Sequence, residues 1–353
     1  MKLKRLKLVH FRNFSQCELE LGDGASIFLG TNGSGKTNLL EAIYFLTNLS
    51  GFRAERDEEL VQKGRRDFFL RGEFIAESGA RLTAEVFFHR RKKYLRVNGV
   101  PVLRFGDWWG RAPLSLFSPA RMELLWGEPA RRRNLWDEEI ARYSTEFRQA
   151  LATYRTAWLS RNRILRTLSG RGDRSRSTGR LYSFYTDSLI LSGSRIVFER
   201  IAYLREVLKH LDGFYRQLTR ERFRLRAHYA SSIGELPREA TLEEVKAAFA
   251  QRIKRVAVKE RERGHTLVGP QRDDVRFFLG DVPIGSFGSQ GQVRAATIAL
   301  CLSLARIASD RSGEPPLLLL DDALSELDDN PTVLKVEDGR VVQRQSAARS
   351  NDQ

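Results

Sequence analysis

Along the first hundred residues, hydrophobic and polar positions alternate with a strand-like period. Leu3, Arg5, Lys7 and Val9 set against Lys4, Leu6 and Leu8 predict an edge strand over residues 3–9, with a turn at 10–14. Residues 18–21 read as a strand pairing back, and Gly22 and Gly24 lead into an apolar strand that ends at Leu29. A helix follows, because Leu39, Leu40, Ile43 and Leu46 recur at helical spacing. Three more strands are predicted at 67–75, 81–89 and 92–102, and Asn98 with Gly99 marks a tight hairpin inside the last.

From Ser118 and Pro119 the period changes from two to 3.6. One long helix is predicted from Glu128 through Leu135, Ile140, Tyr143, Phe147, Leu151, Tyr154, Trp158 and Leu165, and a second over 181–218 with a kink at Gly193. These two stretches should fold back on each other as a helical arm. The segment between them, 169–180, is basic and of low complexity and predicts a loop. Then come a strand at 223–229, a helix over 241–261 opened by the capping box of Thr241 and Glu244, a strand at 275–279 and a helix over 293–308. Leu317, Leu318, Leu319 and Leu320 lack alternation and predict a strand buried on both faces; residues 333–342 predict a terminal hairpin.

Charge sharpens the picture. Among 353 residues, 60 Lys and Arg face 44 Asp and Glu, a net +16 with pI near 10.2. Such a surface favours polyanions, nucleic acid before acidic membrane. No stretch reads as a signal peptide or as the ~20 apolar residues of a membrane span, so no membrane partner is expected. Two distant cysteines, Cys17 and Cys301, suit a reducing cytoplasm, and five scattered histidines form no metal-ligand pattern.

The candidate chemistry begins where the strand ending at Leu29 meets its helix. Gly30, Thr31, Asn32, Gly33, Ser34, Gly35, Lys36 and Thr37 satisfy the P-loop spacing, and Asn38 follows in the first helical turn. The glycines allow backbone angles that aim successive amides at phosphate oxygens, and the helix adds its positive N-terminal end. Lys36 supplies a mobile charge for the β- and γ-phosphates, and the Thr37 hydroxyl is placed to ligate Mg²⁺. The loop predicts a nucleoside triphosphate with Mg²⁺.

Two later motifs complete a site. Ser289, Gly291 and Gln292 stand at a helix N-terminus, where a hydroxyl, bare amides and a dipole end can meet a phosphate or simply cap the helix. The leucine strand ends in Asp321 and Asp322. Asp321 is a Mg²⁺ partner, and Asp322, as the catalytic residue, can orient or deprotonate the attacking water.

P-loop, Ser-x-Gly-Gln helix and leucine strand with paired aspartates, in this order, resemble the ABC-type ATPases of the SMC class. The segments 10–14, 30–42, 51–60, 117–119, 131–133, 269–274, 288–295 and 317–328 resemble the RecF family within that class. The resemblance implies an α/β fold, an ABC/SMC-type P-loop ATPase head with an inserted helical lobe. It divides the chain into an ATPase lobe at 1–117, an arm lobe at 118–262, a completing segment at 263–342 and a polar tail at 343–353. It further implies an ATP-dependent homodimer in which Ser289, Gly291 and Gln292 touch the γ-phosphate in trans and residues 325–328 form a D-loop at the seam. Arg53 or Arg56 matches the region that supplies an arginine to the phosphates. The implied partners are duplex DNA or single-strand/duplex junctions and a RecR-like mediator, in recombinational repair in the cytoplasm, associated with the nucleoid. Candidate DNA contacts are residues 131–133 and 161–180.

Two departures from the family pattern stand out. Gln271 replaces the usual histidine. Residues 329–332 alone separate the D-loop from the terminal hairpin, too few for the crossover that would bring in the family's next strand and its switch residue. A bare sheet edge and weak, DNA-dependent hydrolysis are therefore expected. The alternatives are a non-hydrolysing ATP-dependent DNA-binding protein and a P-loop kinase of a small molecule.

Overall fold

In the computed structural model, the described residues are 1–169, 176–219, 223–321, 332–337 and 340–346. The first elements are β1 (Lys2–Phe11), β2 (Phe14–Glu20), β3 (Ser26–Leu29), α1 (Lys36–Asn48), β4 (Asp67–Ile75), β5 (Arg81–His89), β6 (Lys92–Val97), β7 (Val100–Pro101), β8 (Leu114–Phe117) and the single turn α2 (Pro119–Met122). Next come α3 (Pro129–Tyr143), α4 (Thr145–Ser169), α5 (Arg176–Leu218), β9 (Leu225–Ala230), α6 (Leu242–Arg263), β10 (Asp274–Leu279), β11 (Val282–Pro283) and the short α7 (Ile284–Phe287). The chain continues through α8 (Gln290–Ser312), β12 (Leu317–Leu320), β13 (Thr332–Glu337) and β14 (Arg340–Ser346). They form a mixed α/β fold in two units, Met1–Arg121 with Leu304–Gln353, and Met122–Ser303.

The first unit is built on a six-stranded sheet in the order β2-β1-β4-β5-β6-β7. Strand β1 is thus internal, paired on both sides, and not the edge strand that its imperfect alternation suggested. The even-numbered residues of β4 and β5, Phe68, Leu70, Val86 and Phe88, are buried on one face against α1. The Phe68 ring sits 5.3 Å from both Phe11 and Phe45, edge to face, and 5.1 Å from Phe88, stacked. Buried aromatic pairs of this kind contribute about 0.5–1.5 kcal/mol each beyond the area they bury. The Trp108 indole donates to the Leu46 carbonyl at 2.9 Å and ties the end of α1 down. The hairpin turn falls where expected, with Asn98 at φ 50° and Gly99 at φ 79°.

The strands bearing the chemistry lie in two smaller sheets of the same unit. β13 pairs with β3 in parallel and with β14 antiparallel, so the predicted terminal hairpin exists and runs to Ser346, past the boundary expected at 342. β12 pairs in parallel with β8. Among the described residues, the second edge of β3 and the second edge of β12 carry no partner strand. This corrects the expectation of a strand buried on both faces: Leu319 is buried, but Leu318 and Leu320 are 51% and 38% exposed.

The second unit holds α3 to α6 and the sheet β11-β10-β9. The helix predicted from Glu128 through Leu165 breaks at Ser144, whose extended backbone (φ −125°, ψ 108°) ends α3 and whose hydroxyl accepts the Phe147 amide at 3.1 Å. α4 and α5 pack on each other as the arm, and residues 170–175 of the predicted loop lie outside the described residues. Gly193 lies inside the unbroken α5. It is a close-packing position, where a Cβ would stand 2.5 Å from the Phe249 ring and 2.8 Å from the Tyr154 ring. The stretch 263–303, expected to complete the ATPase lobe, belongs here instead, because β10 pairs along its whole length with β9. Helix α8 has the length and composition of a membrane span, the one such helix among the described residues, and corrects the reading that none exists. Its Ala296, Ala299, Ser303 and Leu304 are buried as in a core helix of a folded protein.

Candidate nucleotide site

The loop from Gly30 to Lys36 takes its shape from its glycines and from one asparagine. Gly33 and Gly35 have φ of 84° and 117°, in the region closed to most side chains. A Cβ on Gly35 would also come within 2.9 Å of the Asn13 amide and the Phe14 ring. The Asn13 side chain donates to the Ser34 carbonyl at 3.0 Å and accepts from Asn38 Nδ2 at 2.8 Å, so the β1–β2 turn braces the loop and the first turn of α1 together. Thr31, Asn32 and Gly33 are exposed, and the buried Ser34 hydroxyl has no hydrogen-bond partner among the described residues. Lys36 Nζ donates to the Gly30 and Thr31 carbonyls at 2.8 and 3.0 Å, which lays its charge across the loop.

At the far side of this loop Thr37 Oγ1 donates to Asp321 Oδ1 at 2.9 Å, across 284 positions of sequence. Asp321 is buried at the end of β12, where its amide donates to the Phe117 carbonyl at 2.9 Å. A hydroxyl and a carboxylate side by side are hard oxygen donors of the kind Mg²⁺ takes while keeping waters and phosphate oxygens as its remaining ligands. No cluster of three or more His, Cys, Asp or Glu suited to a metal occurs among the described residues. Asp322 and the D-loop residues 325–328 lie outside the described residues.

Beside the loop is a cleft of about 630 Å³ lined by Arg12, Asn13, Asn38, Arg53, Gln62 and Lys63, among others. Its walls are held by Glu41, a wholly buried carboxylate of α1. Glu41 accepts from Arg12 Nε and Nη2 at 2.9 and 2.8 Å and from the amides of Arg53 and Ala54 at 3.0 and 3.2 Å. Of the two arginines proposed to reach phosphate, Arg53 lines the cleft, whereas Arg56 is 77% exposed and pairs with Glu59 at 3.6 Å. Sequence reading missed Arg12, Asn13 and Glu41 as site residues. The one available signal was a polar pair, Arg12 and Asn13, placed between Phe11 and Phe14 in a tight turn.

The Ser289 motif lies in the second unit. Ser289 Oγ accepts the Gln292 amide at 3.3 Å and Gln292 Oε1 accepts the Ser289 amide at 2.9 Å, a reciprocal cap of α8. Ser289 and Gly291 are exposed, and a Cβ on Gly291 would meet nothing closer than Ser289 Oγ at 4.0 Å.

Several basic candidates are consumed by structure. Arg132 pairs with Asp274 through Nε at 2.6 Å and Nη2 at 3.0 Å, both residues buried. Arg133 donates to the Asp273 carbonyl at 2.9 Å, with its pKa lowered by burial and by the nearby Arg200. Arg161 has no exposed surface and donates to Glu260, Tyr182, Thr186 and Thr266. Arg132 and Arg161, both buried, are therefore corrected from DNA contacts to supports of the second unit, while Arg133 stays half-buried. Gln271 also finds its role, accepting from the Tyr154 hydroxyl while donating to the Val268 carbonyl at 3.1 Å. Beside it, burial raises the Asp273 carboxyl above the usual aspartate range, and hydrogen bonds from the Ser232 amide and the Tyr229 hydroxyl oppose the rise.

Comparison with known proteins agrees with this geometry. Residues 2–94 match the family described as RecF/RecN/SMC N terminal domain. The chain is 33% identical over 329 residues to the DNA replication and repair protein RecF of Ligilactobacillus salivarius (strain UCC118), covering 93% of this chain and 85% of that one. To the protein of the same name from Symbiobacterium thermophilum it is 34% identical over 333 residues, covering 93% and 86%. A solved structure of the recombination mediator protein RecF with ATP, from the RecFOR pathway, matches with a TM-score of 0.87 at 26% identity, over 98% of this chain and 97% of that one. An Smc head domain from Pyrococcus furiosus shares the fold at a TM-score of 0.51 and 13% identity, over 98% of this chain and 96% of that one. With the P-loop threonine joined to the strand-end aspartate and relatives of this identity along nearly its whole length, the chain belongs to the RecF family of DNA replication and repair proteins.

Proposed function

We propose that the chain is an ATP-gated DNA-binding protein of recombinational repair, which dimerises on duplex or gapped DNA and helps to load recombinase. The observation that carries the nucleotide half is the 2.9 Å bond between Thr37 and Asp321 at the mouth of the P-loop. Gly30 to Asn38 would cradle the triphosphate. Lys36 would exchange the Gly30 and Thr31 carbonyls for phosphate oxygens, and Arg53 and Arg12 in the adjoining cleft would face further polar groups of the nucleotide. Mg²⁺ would be held by Thr37 and Asp321, and when bound it neutralises charge on the β- and γ-phosphates. Asp322 is the proposed water-orienting carboxylate.

Ser289, Gly291 and Gln292 are proposed to meet the γ-phosphate on a partner subunit's nucleotide, which suits their exposure. DNA contacts move from the buried arginines to exposed ones of α4 and α6, Arg155, Arg163, Arg166, Lys254, Arg255 and Lys259. A RecR-like mediator is the proposed second partner, in keeping with the RecFOR pathway named for the solved relative, and the proposed setting is cytoplasmic and nucleoid-associated. Sedimentation with a slowly hydrolysed ATP analogue and duplex DNA tests the proposal. Wild type should form dimers that retain DNA, Lys36→Ala should lose nucleotide, and Ser289→Arg should bind nucleotide but stay monomeric. Dimers of Ser289→Arg would overturn the arrangement in trans; phosphate transfer to a small molecule, indifferent to DNA, would favour a kinase.

A further inference from the structure

Between Asp274 and Ser289 the chain runs through β10, its hairpin with β11, α7 and Gly288, and so delivers the Ser289 motif to the start of α8. One buried side chain outside this stretch holds both of its ends. At the first end, Arg132 of α3 forks onto Asp274 through Nε at 2.6 Å and Nη2 at 3.0 Å. Its remaining nitrogen, Nη1, donates to the Leu124 and Gly127 carbonyls at 3.2 and 2.8 Å and closes the turn at 124–127.

That turn is the bed on which α7, at the second end, lies. Gly285 approaches it so closely that a Cβ would run into the Leu125 carbonyl oxygen and stand 2.8 Å from Trp126 Cα. Ile284 is wholly buried, and its carbonyl accepts the Gly288 amide at 2.8 Å, so the seat of α7 is passed on to the neighbouring Ser289. From there the Ser289 carbonyl accepts the Val293 amide at 2.9 Å in the first turn of α8. A planar guanidinium can fix a carboxylate and two carbonyls in set directions at once, which an ammonium on a flexible stem cannot. Placement matters here, because a group displaced by about 1 Å from a reacting phosphate forfeits on the order of a hundredfold in rate.

We propose that Arg132 is the positioning residue of the Ser289 motif: through Asp274 and the 124–127 turn it sets where Ser289, Gly291 and Gln292 stand, without touching nucleotide itself. This rests on the arrangement in trans proposed above and adds the group that holds it in register. Arg161 supplies the contrast. It is as deeply buried in the same unit, but its partners Tyr182, Thr186, Glu260 and Thr266 lie on α5, on α6 and just after α6, none of them in the turn or in α7.

Two readouts on the full chain test it, with Arg161→Lys as the matched loss of a buried guanidinium. In the nucleotide-free protein, Arg132→Lys should speed deuterium entry over residues 284–293 about tenfold or more. Asp274→Asn, which keeps the bonds to the turn, should do so by a smaller factor, and Arg161→Lys should lower the melting temperature but leave these amides unmoved. In sedimentation with a slowly hydrolysed ATP analogue, well below the melting temperature of each variant, Arg132→Lys should bind nucleotide as wild type does yet dimerise about tenfold more weakly. Arg161→Lys should dimerise as wild type does. Unchanged exchange over 284–293 in both Arg132→Lys and Asp274→Asn would overturn the proposal. So would equal effects of Arg161→Lys on both readouts, because Arg132 would then be one structural support among others. Dimers of Ser289→Arg would remove the arrangement in trans, and with it the role in dimerisation, while the exchange readout would still judge the clamp, so the two failures are told apart.

Discussion

Glu41 illustrates how a buried charge is made tolerable: four donors, two from Arg12 and two backbone amides, surround it in a position without solvent. Truncation strands the Arg12 guanidinium, so Glu41→Ala should destabilise the chain by about 3–5 kcal/mol, and Glu41→Gln by less, since shape is kept. Because Arg12 and the Arg53 segment line the cleft, ATP affinity should fall in step; denaturant midpoints and nucleotide titration of both variants measure this, and an unaltered Glu41→Ala protein would contradict the account. Arg131 and Arg132 make the complementary case. Arg132→Ala should cost about 3–5 kcal/mol by exposing Asp274 as an unpaired buried charge, whereas Arg131→Ala, 58% exposed, should change stability by under about 1 kcal/mol. Thermal melts of the two separate them. The sequence displayed three adjacent arginines but not which would meet Asp273 and Asp274, more than a hundred positions away. Local motifs, the P-loop and the Thr241 capping box among them, were legible because their partners are near in the chain.

Among the elements, periodicity located β4, β5 and α6 almost to the residue, since their burial follows their own alternation. Strand order was not legible, because β1 and β12 are read by their neighbours: β1 is central though its pattern is ragged, and β12 is half-exposed though its four leucines are continuous. The connection after the D-loop lies almost wholly outside the described residues, and β13, which follows it, pairs in parallel with β3, a neighbour that the short reach had not been expected to allow. The expectation for turnover is a separate matter. If a preorganised group that would approach the γ-phosphate from a further strand has no counterpart, the transition state loses on the order of 3 kcal/mol, or about a hundredfold in rate. Single-turnover hydrolysis on DNA, with Asp322→Asn as background, should show ATP bound but turned over about a hundredfold more slowly than by a relative that has the group; an equal rate would mean the group is dispensable or replaced.

For the molecule as a whole, a net charge of +16 survives the buried pairs, and it predicts how binding responds to salt. With ~5 duplex phosphates neutralised, log affinity should fall with a slope of about −4.5 in log salt, so a fourfold rise in salt costs roughly 500-fold. A flat response, or strong preference for one base sequence, would contradict an electrostatic grip. The edges of β3 and β12 that carry no partner strand among the described residues have a different consequence, for how the protein opens. Amide hydrogens on strands laddered on one side are released by small openings, whereas those of β4, laddered on both, require far larger ones. Deuterium should therefore enter β3 and β12 early and β4 late in the nucleotide-free protein. Because Thr37 and Asp321 link these two sheets, ATP with Mg²⁺ should slow uptake in β3 and β12 together while leaving β4 unmoved, so that the slowest clock in the unit is blind to the ligand and the fastest one reports it.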